Sequence, residues 1–296
     1  MSVSSPRRII SVSDYKTIMR IGDTGQDTIL ATVLPIAMRG VEQYCGRKFC
    51  EYETDGLSIY FDGAAATAAT VTVTETVLTL SSTTAAVTTT TALTLADAAN
   101  DTLTELEAVI EAVSGWHVTL VAAGTSASTD LMPVASQSVL TSALTKTLGI
   151  RADITEYFDG TGHEHFIRPE YLPIISVTTL SDDVDREFTG TSYDIDTDDY
   201  VVYEDKVKLD GTHFNEGKKN IRLVYRGGYT PAQLEGDECA DLRLGAALFM
   251  SFMKERVPIA NVRSELNLET GVEQRFILGM PGFVRQLLDP YRYKGF

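Results

Sequence analysis

The sequence predicts an α+β fold, in which a helical bundle with a small antiparallel sheet is interrupted by an inserted small α/β domain of order β-β-α-β. The composition changes sharply near residue 64, where charged and aromatic residues give way to Ala, Thr and Val, and it changes back near residue 154. The tetrapeptide Tyr-Phe-Asp-Gly stands near both changes. Because insertions are tolerated at exposed turns, we predict a discontinuous domain of residues 1–60 and 154–296, and a Thr-rich inserted domain of residues 64–150.

The first elements of the chain are predicted to be helices. Ser13 is a candidate N-cap for a short helix with the sequence DYKTIMRI. A longer helix is predicted for QDTILATVLPIAMRGVEQYCG, in which apolar residues recur at helical spacing and Gly46 can end the helix. Pro35 lies inside this segment and lacks a backbone donor, so it is expected to kink the helix or to split it.

The inserted segment shows strand patterns on both sides of one helix. TVTVTETVLTL alternates and is rich in β-branched residues, which predicts a strand, and TTTTALTL is a candidate second strand. Thr102 and Glu105 have the spacing of a capping box for a helix that Gly115 can end, and WHVTLVAA returns to a strand pattern. Disorder is the alternative for the Thr-rich part, but disordered segments lack such a helix, so we predict a folded domain.

The segment after residue 154 predicts further strands and a long helix. EHFIRPEYLPIISVTTL indicates two strands joined by a Pro-marked turn, and NIRLVYRGGYTP supplies another strand. A helix is predicted from about Asp237 to Arg256. One of its sides carries Leu242, Ala246, Phe249 and Met253, and nearly the opposite side carries Leu244, Leu248 and Phe252.

A helix that is apolar on opposite sides is buried all round. The two explanations are a central helix in the core of the monomer and a contact between subunits. The outer domain has little other apolar sequence, which favours oligomerisation. We therefore predict that Leu244, Leu248 and Phe252 form a subunit contact.

Composition and cysteine content restrict the class of protein. The formal net charge of −16 over 296 residues argues against a general nucleic-acid-binding surface, which requires clustered Lys and Arg. Cys45, Cys50 and Cys239 form no CxxC pair, so we expect reduced thiols in a cytosolic setting. The N-terminus lacks the apolar region of a signal peptide, and no apolar run reaches membrane-spanning length, so a membrane protein is not expected.

Two short motifs were considered as metal sites. His163 and His165 share a face if they lie in a strand, but no third ligand is evident, and an exposed strand or turn explains them better. DIDTDD resembles the start of a calcium loop, yet Asp199 and Asp205 stand where that loop needs Gly and Glu. Nucleophile-elbow, P-loop and dinucleotide motifs are absent from the sequence. We expect no enzyme activity, no catalytic residue, no metal and no cofactor.

The C-terminal sequence GMPGFVRQLLDPYRYKGF mixes apolar, aromatic and basic residues. Aromatic side chains together with Arg are frequent anchors of protein interfaces. The alternatives are a terminal segment packed on its own domain and a frayed tail. The candidate anchors are Phe283, Arg285, Leu287, Leu288, Tyr291, Arg292 and Tyr293.

Several motifs together resemble the head–tail connector (adaptor, or head-completion) proteins of tailed bacteriophages. They are VEQYCGRKF, ITEYFDGTG, IRPEYLPIISVTTL, IRLVYRGGYTP and a final long helix, and the resemblance covers about residues 11–55 and 154–258. It implies a structural virion protein without catalysis or cofactor. In that family, twelve copies form a ring under the portal, which extends the DNA channel, helps retain the genome and docks the tail or the next completion protein.

The resemblance also implies partners and a location. The partners are the portal protein, the tail or head-completion protein and other copies of the chain, while DNA passes through the channel without specific binding. The location is the head–tail interface of the virion, after assembly in the host cytoplasm. The last helix and the C-terminal segment are implied to dock to the portal, which makes the candidate anchors Phe283 to Tyr293 the predicted portal-binding residues.

Two other classes of function remain open at this stage. The first is a virion surface protein that binds carbohydrate or a receptor through the Thr-rich insert. Such a module is expected to expose aromatic side chains, whereas the large aromatic of the insert, Trp116, lies between strand residues and is predicted to be buried. The second is a metal-dependent hydrolase built around His163 and His165.

Overall fold

The computed structural model describes residues 8–63, 65–270 and 280–292. It has an α+β fold with helices and antiparallel sheets, as the sequence predicts. The chain divides into two compact units. We call residues 52–153 the inserted unit, and we call the described residues of 8–51 and 154–292 the outer unit.

The inserted unit begins earlier than the predicted boundary at residue 64. Strand β1 (Glu53–Phe61), which contains the first two residues of the first Tyr-Phe-Asp-Gly, pairs antiparallel with two later strands of the same unit. These strands are β5 (Trp116–Leu120) and β7 (Lys146–Arg151), and the sheet order is β5-β1-β7. Residues 53–60 therefore belong to the inserted unit, although the sequence analysis assigned them to the outer domain.

A second antiparallel sheet of the inserted unit has the order β4-β3-β2-β6. Its strands are β2 (Ala66–Val73), β3 (Val77–Thr84), β4 (Val87–Thr94) and β6 (Val134–Ser138). The sequence TVTVTETVLTL, predicted to be one strand, is a hairpin of β2 and β3. The hydroxyl of Thr74 accepts the backbone N–H of Val77 at 3.0 Å and closes the turn. Alternation resumes after this turn, and for that reason the sequence pattern does not reveal it.

One helix, α3 (Leu103–Glu111), contributes to the core of the inserted unit. The capping box of Thr102 and Glu105 is present, as predicted, and Leu103, Leu106 and Ile110 are buried. The strands add alternating buried residues to the same core. The buried members of this single cluster include Leu57, Ile59, Phe61, Val71, Leu78, Leu80, Leu95, Leu103, Leu106, Ile110 and Trp116.

The outer unit contains the remaining helices. They are α1 (Val12–Ile18), α2 (Asp27–Cys45), α4 (Pro231–Glu235), α5 (Ala240–Thr270) and α6 (Gly282–Leu288). Helix α2 is continuous through Pro35, so the proline does not split it, and it ends at Gly46, whose φ is +70°. The N-cap of α1 is Ser11 rather than the predicted Ser13, because Ser11 forms a reciprocal capping box with Asp14. Helix α5 extends well beyond its predicted end at Arg256.

The strands of the outer unit form two small antiparallel sheets. The larger has the order β10-β13-β8, and the smaller has the order β11-β12-β9. Their strands are β8 (Ile154–Gly160), β9 (Phe166–Ile167), β10 (Ile174–Asp182), β11 (Tyr200–Val202), β12 (Val207–Leu209) and β13 (Gly217–Gly227). The helices and the sheets bury separate apolar clusters, so the outer unit has one helical core and one sheet core.

Candidate assembly surface

The motifs that carry the resemblance meet at one place in the outer unit. Backbone N–H of Lys48 donates to the carbonyl of Glu170 at 2.7 Å, and N–H of Leu172 donates to the carbonyl of Lys48 at 3.2 Å. N–H of Tyr229 donates to the carbonyl of Phe49 at 2.6 Å. We call residues 48–50, 156, 170–172, 225 and 228–229 the motif junction. It connects the end of α2 to the larger sheet.

Side-chain hydrogen bonds close the motif junction. The hydroxyl of Tyr225 donates to a carboxylate oxygen of Glu156 at 2.5 Å, and it accepts N–H of Tyr171 at 3.0 Å. The Glu156 carboxylate also accepts N–H of Glu170 at 3.1 Å. Burial raises the pKa of both Glu156 and Tyr225. These groups belong to three of the four quoted motifs, and their hydrogen bonds join the backbone segments of those motifs.

Gly228 allows two backbone segments of the motif junction to pass close to each other. Its φ is +103°, and a Cβ placed there would lie 2.5 Å from the carbonyl carbon of Cys50. Real Cβ atoms do not approach backbone atoms so closely, and side chains other than glycine rarely adopt this φ. Residue 228 must therefore be glycine for the chain after β13 to pass the segment that follows α2.

The C-terminal segment packs on the helices of the outer unit. Leu288 and Val284 of α6 are fully buried in the helical core. A Cβ at Gly245 of α5 would lie 2.9 Å from the Leu288 side chain, so α6 lies very close to α5 at this position. Residues 280–292 are therefore packed on their own domain, which was one of the alternatives raised by the sequence.

Polar contacts fix the end of this segment. The Tyr44 hydroxyl donates to Asp289 at 2.6 Å, and the Tyr291 hydroxyl donates to the carbonyl of Glu238 at 2.9 Å. The hydrogen bond to Asp289 raises the pKa of Tyr44, because ionisation would remove its donor. The Arg292 guanidinium lies 5.3 Å from the ring centroid of Tyr44. Tyr291 thus acts within the unit, although part of its ring is exposed.

The predicted portal-binding residues differ in exposure. Leu288 is buried, and Leu287 and Tyr291 are half-buried. Phe283 is 54% exposed, and Arg285 and Arg292 are exposed, although Arg285 donates from Nε to the carbonyl of Met280 at 2.8 Å. Tyr293 lies outside the described residues. Phe283, Arg285 and Arg292 form what we call the C-terminal patch, and its contact with a portal stays a prediction.

The two apolar sides of α5 also differ in exposure. Leu242, Ala246, Phe249 and Met253 are all buried in the helical core. On the other side, Leu244 is 39% exposed, and Leu248 and Phe252 are half-buried at the edge of that core. The predicted subunit-contact residues therefore form the more accessible of the two apolar sides of α5. Their contact with another subunit stays a prediction.

Helix α2 exposes two isoleucines that the sequence analysis did not single out. Ile29 and Ile36 are 53% and 54% exposed, and they lie two turns apart at the margin of the buried face of α2. The sequence pattern included them in one apolar stripe with the buried Val33, Ala37 and Val41. The width of this stripe could have indicated that some of its residues are exposed, since a helix that meets one neighbour does not bury so broad a face.

The histidines and aspartates considered for metal binding have other surroundings. His163 is exposed, whereas the ring of His165 lies edge-on to His213 with 6.0 Å between centroids, a proximity that sequence spacing did not indicate. Asp194 accepts the Ser181 hydroxyl at 2.6 Å, and Asp196 caps the short turn that follows it. The described residues contain no group of three His, Cys, Asp or Glu side chains placed to hold a metal ion.

Trp116 and the cysteines are buried. Trp116 is 2% exposed and meets Phe61 edge-on, so the prediction of a buried Trp116 is confirmed, and this residue offers no platform to a sugar. Cys45, Cys50 and Cys239 form no disulfide bond, and burial raises the pKa of Cys45 to about 12. Within the described part of the chain, none of the helices combines the length and the apolar composition of a membrane span.

Comparisons with known proteins give a weak similarity in structure. No family model matches the chain, and no curated protein matches it. A solved structure described as "Neck of empty GTA particle computed with C6 symmetry" contains a similar chain, with a TM-score of 0.39 and 8% sequence identity. The match covers 99% of this chain and 97% of that chain. At this TM-score and identity, the similarity assigns neither a fold nor a function.

Proposed function

We propose that the chain is a structural virion protein of the head–tail connector kind. In this proposal, copies of the chain form a ring under the portal, extend the DNA channel, help retain the genome and dock the tail or the next completion protein. The observation that carries the proposal is the motif junction. The short motifs that resemble connector proteins are far apart in the sequence, yet they hydrogen-bond to one another in the outer unit.

The exposed apolar side chains are consistent with assembly. Leu244 on α5, Ile29 and Ile36 on α2, and Phe283 on α6 are each more than one third exposed. Single exposed apolar residues are normal on a protein surface, but here all four project from the helices that share one core. The proposed subunit contact includes Leu244, Leu248 and Phe252, and the proposed portal contact is the C-terminal patch.

The charge of the chain fits the proposed channel. Its formal net charge is −16, and phosphates bind to clustered Lys and Arg by releasing counterions. An acidic ring repels DNA and lets it slide, whereas a basic ring would retain it. No enzyme activity and no cofactor are part of the proposal.

The test measures co-sedimentation of the purified chain with DNA-filled, tail-less heads. Phe283→Ala is expected to weaken binding by about 2 kcal/mol, or roughly thirtyfold, if this side chain is a strong anchor. Ile175→Ala is the matched control, because Ile175 is 49% exposed in the larger sheet of the same unit. Circular dichroism checks that both variants are folded. Equal binding by both variants would place the docking surface elsewhere, and failure of the wild-type chain to bind heads would refute the proposed function.

A further inference from the structure

The Thr-rich sheet of the inserted unit ends in an unprotected edge strand. Strand β4 is eight residues long and stands at one end of the order β4-β3-β2-β6, with no described strand on its outer side. It pairs with β3 through eight consecutive residue pairs, from Val77↔Thr94 to Thr84↔Val87, without a bulge. An edge of this kind presents a row of backbone N–H and C=O groups to another strand.

Strand β4 lacks the devices that normally block an edge. Its sequence, VTTTTALT, contains no charged residue and no proline. Thr88 and Thr90 pair through their hydroxyls with Thr83 and Ser81 on β3, at 3.0 and 3.4 Å, and this keeps those side chains on the face of the sheet. Its β-branched residues favour extended structure. The strand is therefore ready to accept a further strand.

Strand β6 forms the opposite edge of the same sheet and is also uncharged, although its pairing with β2 shifts register at Ala135 and Ser136. It has the sequence VASQS, without charge or proline, and its residues Ala135 and Ser136 are exposed. Because β2 is antiparallel to both β3 and β6, and β3 is antiparallel to β4, strands β4 and β6 run in opposite directions. A β6 strand placed beside the β4 of another molecule would thus continue an all-antiparallel sheet.

The distribution of charge favours a second copy of the chain as the occupant of this edge. Copies with a net charge of −16 repel one another over most of their surface. Residues 76–96 and 131–145, which contain the two edge strands, have no charged residue at all. A basic partner would be attracted to the acidic regions instead, whereas these two neutral edges can meet without like-charge repulsion.

We propose that β4 of one copy pairs antiparallel with β6 of the next copy, so that the Thr-rich sheets join into one continuous sheet. The contact uses two different edges, so it is heterologous and can repeat around a closed ring. The choice of β6 rather than a second β4 rests on the proposed ring function, because β4–β4 pairing is two-fold and stops at dimers. The five residues of β6 set the length of the shared ladder.

Disulfide cross-linking of the full chain tests this pairing. The variants are Thr90→Cys on β4, Ser136→Cys on β6, and the double variant; the three native cysteines are buried and contribute little background. After mild oxidation over a concentration series, we expect the double variant to give a ladder of trimers and larger species, while each single variant stays monomeric. Dimers of the Thr90→Cys variant alone would show β4–β4 pairing and overturn the proposal, and so would the absence of a ladder in the double variant.

A charge at the edge supplies the second arm of the test. Thr89→Lys, added to the double variant of Thr90→Cys and Ser136→Cys, is expected to reduce the ladder at least tenfold, because an edge lysine opposes strand addition. Thr67→Lys is the matched control, since Thr67 is an exposed threonine on the interior strand β2. An equal loss in both lysine variants would indicate a general effect of charge and would overturn the edge contact.

Head binding distinguishes this proposal from the proposed function. If the wild-type chain binds tail-less heads but the double-cysteine variant gives no ladder, the strand pairing is wrong and the connector function stands. If the ladder forms but the wild-type chain does not bind heads, the pairing stands and the connector function is wrong.

Discussion

In the outer unit, buried polar side chains hydrogen-bond across several segments, whereas the core of the inserted unit is almost entirely aliphatic and aromatic. Asn220 shows the first pattern: it is fully buried, donates to Asp182 and to the carbonyl of Asn215, and accepts N–H of Gly160. Strands β2 and β3 show the second, with Val71, Leu78 and Leu80 buried and threonines on the other face.

The two units differ in how many side chains share the work of stabilising each of them. In the motif junction of the outer unit, the position of the backbone depends on one glycine and a few hydrogen bonds. In the inserted unit, many similar side chains share the burial, and apolar burial is roughly proportional to area and has no direction. The outer unit is therefore expected to respond sharply to small changes at few sites, and the inserted unit to respond in proportion to the apolar area removed.

Gly228→Ala is expected to have the largest effect and tests the sharp response of the outer unit. The added Cβ meets backbone atoms of Cys50 and Glu51 at 2.5–2.6 Å, and alanine is strained at a φ of +103°. We expect a loss of about 3 kcal/mol or more in the free energy of unfolding. The measurement is chemical denaturation followed by circular dichroism.

Gly190→Ala is the matched control for this change. Gly190 also has a positive φ, +79°, but a Cβ there has nothing within 4 Å. Its substitution carries only the backbone strain, roughly 1 to 2 kcal/mol. If Gly228→Ala costs no more than Gly190→Ala, the close approach in the motif junction does not limit stability.

Leu106→Ala tests the proportional response of the inserted unit. Leu106 lies on α3 and is fully buried in the core of the inserted unit, and replacement of a buried leucine by alanine typically costs about 2 to 5 kcal/mol. Leu144→Ala is the control, because Leu144 is 43% exposed in the same unit, and a change below about 0.5 kcal/mol is expected there. A similar loss in both variants would contradict a stability that follows buried area.

The same substitution tests whether the inserted unit folds by itself, which stays a prediction of the sequence analysis. The N–H of Ala152 donates to the carbonyl of Tyr52 at 3.1 Å, so both ends of the unit lie side by side. A fragment of residues 52–153 is expected to unfold cooperatively and to lose the same free energy on Leu106→Ala as the full chain. An unfolded fragment would show that the unit depends on the rest of the chain.

Sequence patterns predicted local structure better than they predicted pairing. Helix α3 followed from the capping-box spacing of Thr102 and Glu105, since both signals are local. The assignment of β1 to the inserted unit did not follow, because its partners β5 and β7 are distant in sequence and strand pairing leaves no local mark. The close approach at Gly228 was equally invisible, although it lies within a motif that the resemblance had identified.

The candidate assembly surface could be predicted only in part. Aromatic and basic residues in the C-terminal sequence indicate this segment as a candidate interface, but composition cannot separate Phe283, which is exposed, from Leu288, which is buried. That separation depends on which face of α6 meets Gly245 of α5. Likewise, the apolar stripe of α2 did not show that Ile29 and Ile36 lie beyond the edge of the core.

Asp183→Asn tests the polar network of the outer unit through its pH dependence. The Asp183 side chain is fully buried and accepts N–H of Asp185 at 2.9 Å and of Phe188 at 2.7 Å. Burial raises the pKa of this carboxyl. The hydrogen bonds from backbone N–H groups lower the pKa, and together they outweigh burial, so the pKa lies below its ordinary value. The charged form is therefore favoured in the folded state.

The sign of the pH effect follows from this depressed pKa. The carboxylate contributes stability above its unfolded-state pKa, and this contribution is lost as the pH falls through the folded-state pKa. Asp183→Asn is expected to destabilise the chain at neutral pH, by less than Leu106→Ala, and the difference from the wild type should shrink in acid. Asp185→Asn, at an exposed position nearby, serves as the control. A difference that is constant with pH would exclude the charge as the source of the stability.

The smallest expected effect is a gain in stability at the turn between β3 and β4. This two-residue turn consists of Ala85 and Ala86, with φ values of +49° and +64°. Both central residues of a type I′ turn have positive φ, and Asn-Gly is the preferred pair because these residues adopt that region with little strain. The alanines carry this strain in a hairpin whose other residues pair without a bulge.

Replacing this pair by Asn-Gly should therefore stabilise the inserted unit. We expect Ala85→Asn with Ala86→Gly to raise the free energy of unfolding by about 1 kcal/mol, since the relief of strain exceeds the entropy that glycine adds to the unfolded chain. The control is Ala92→Gly in β4, an exposed position without positive φ, where glycine should lower the stability. Thermal unfolding of the wild type and of these two variants measures the difference. If Asn-Gly at the turn and glycine in the strand lower the stability alike, then Ala85 and Ala86 carry no strain in solution, and the expected gain in stability is wrong.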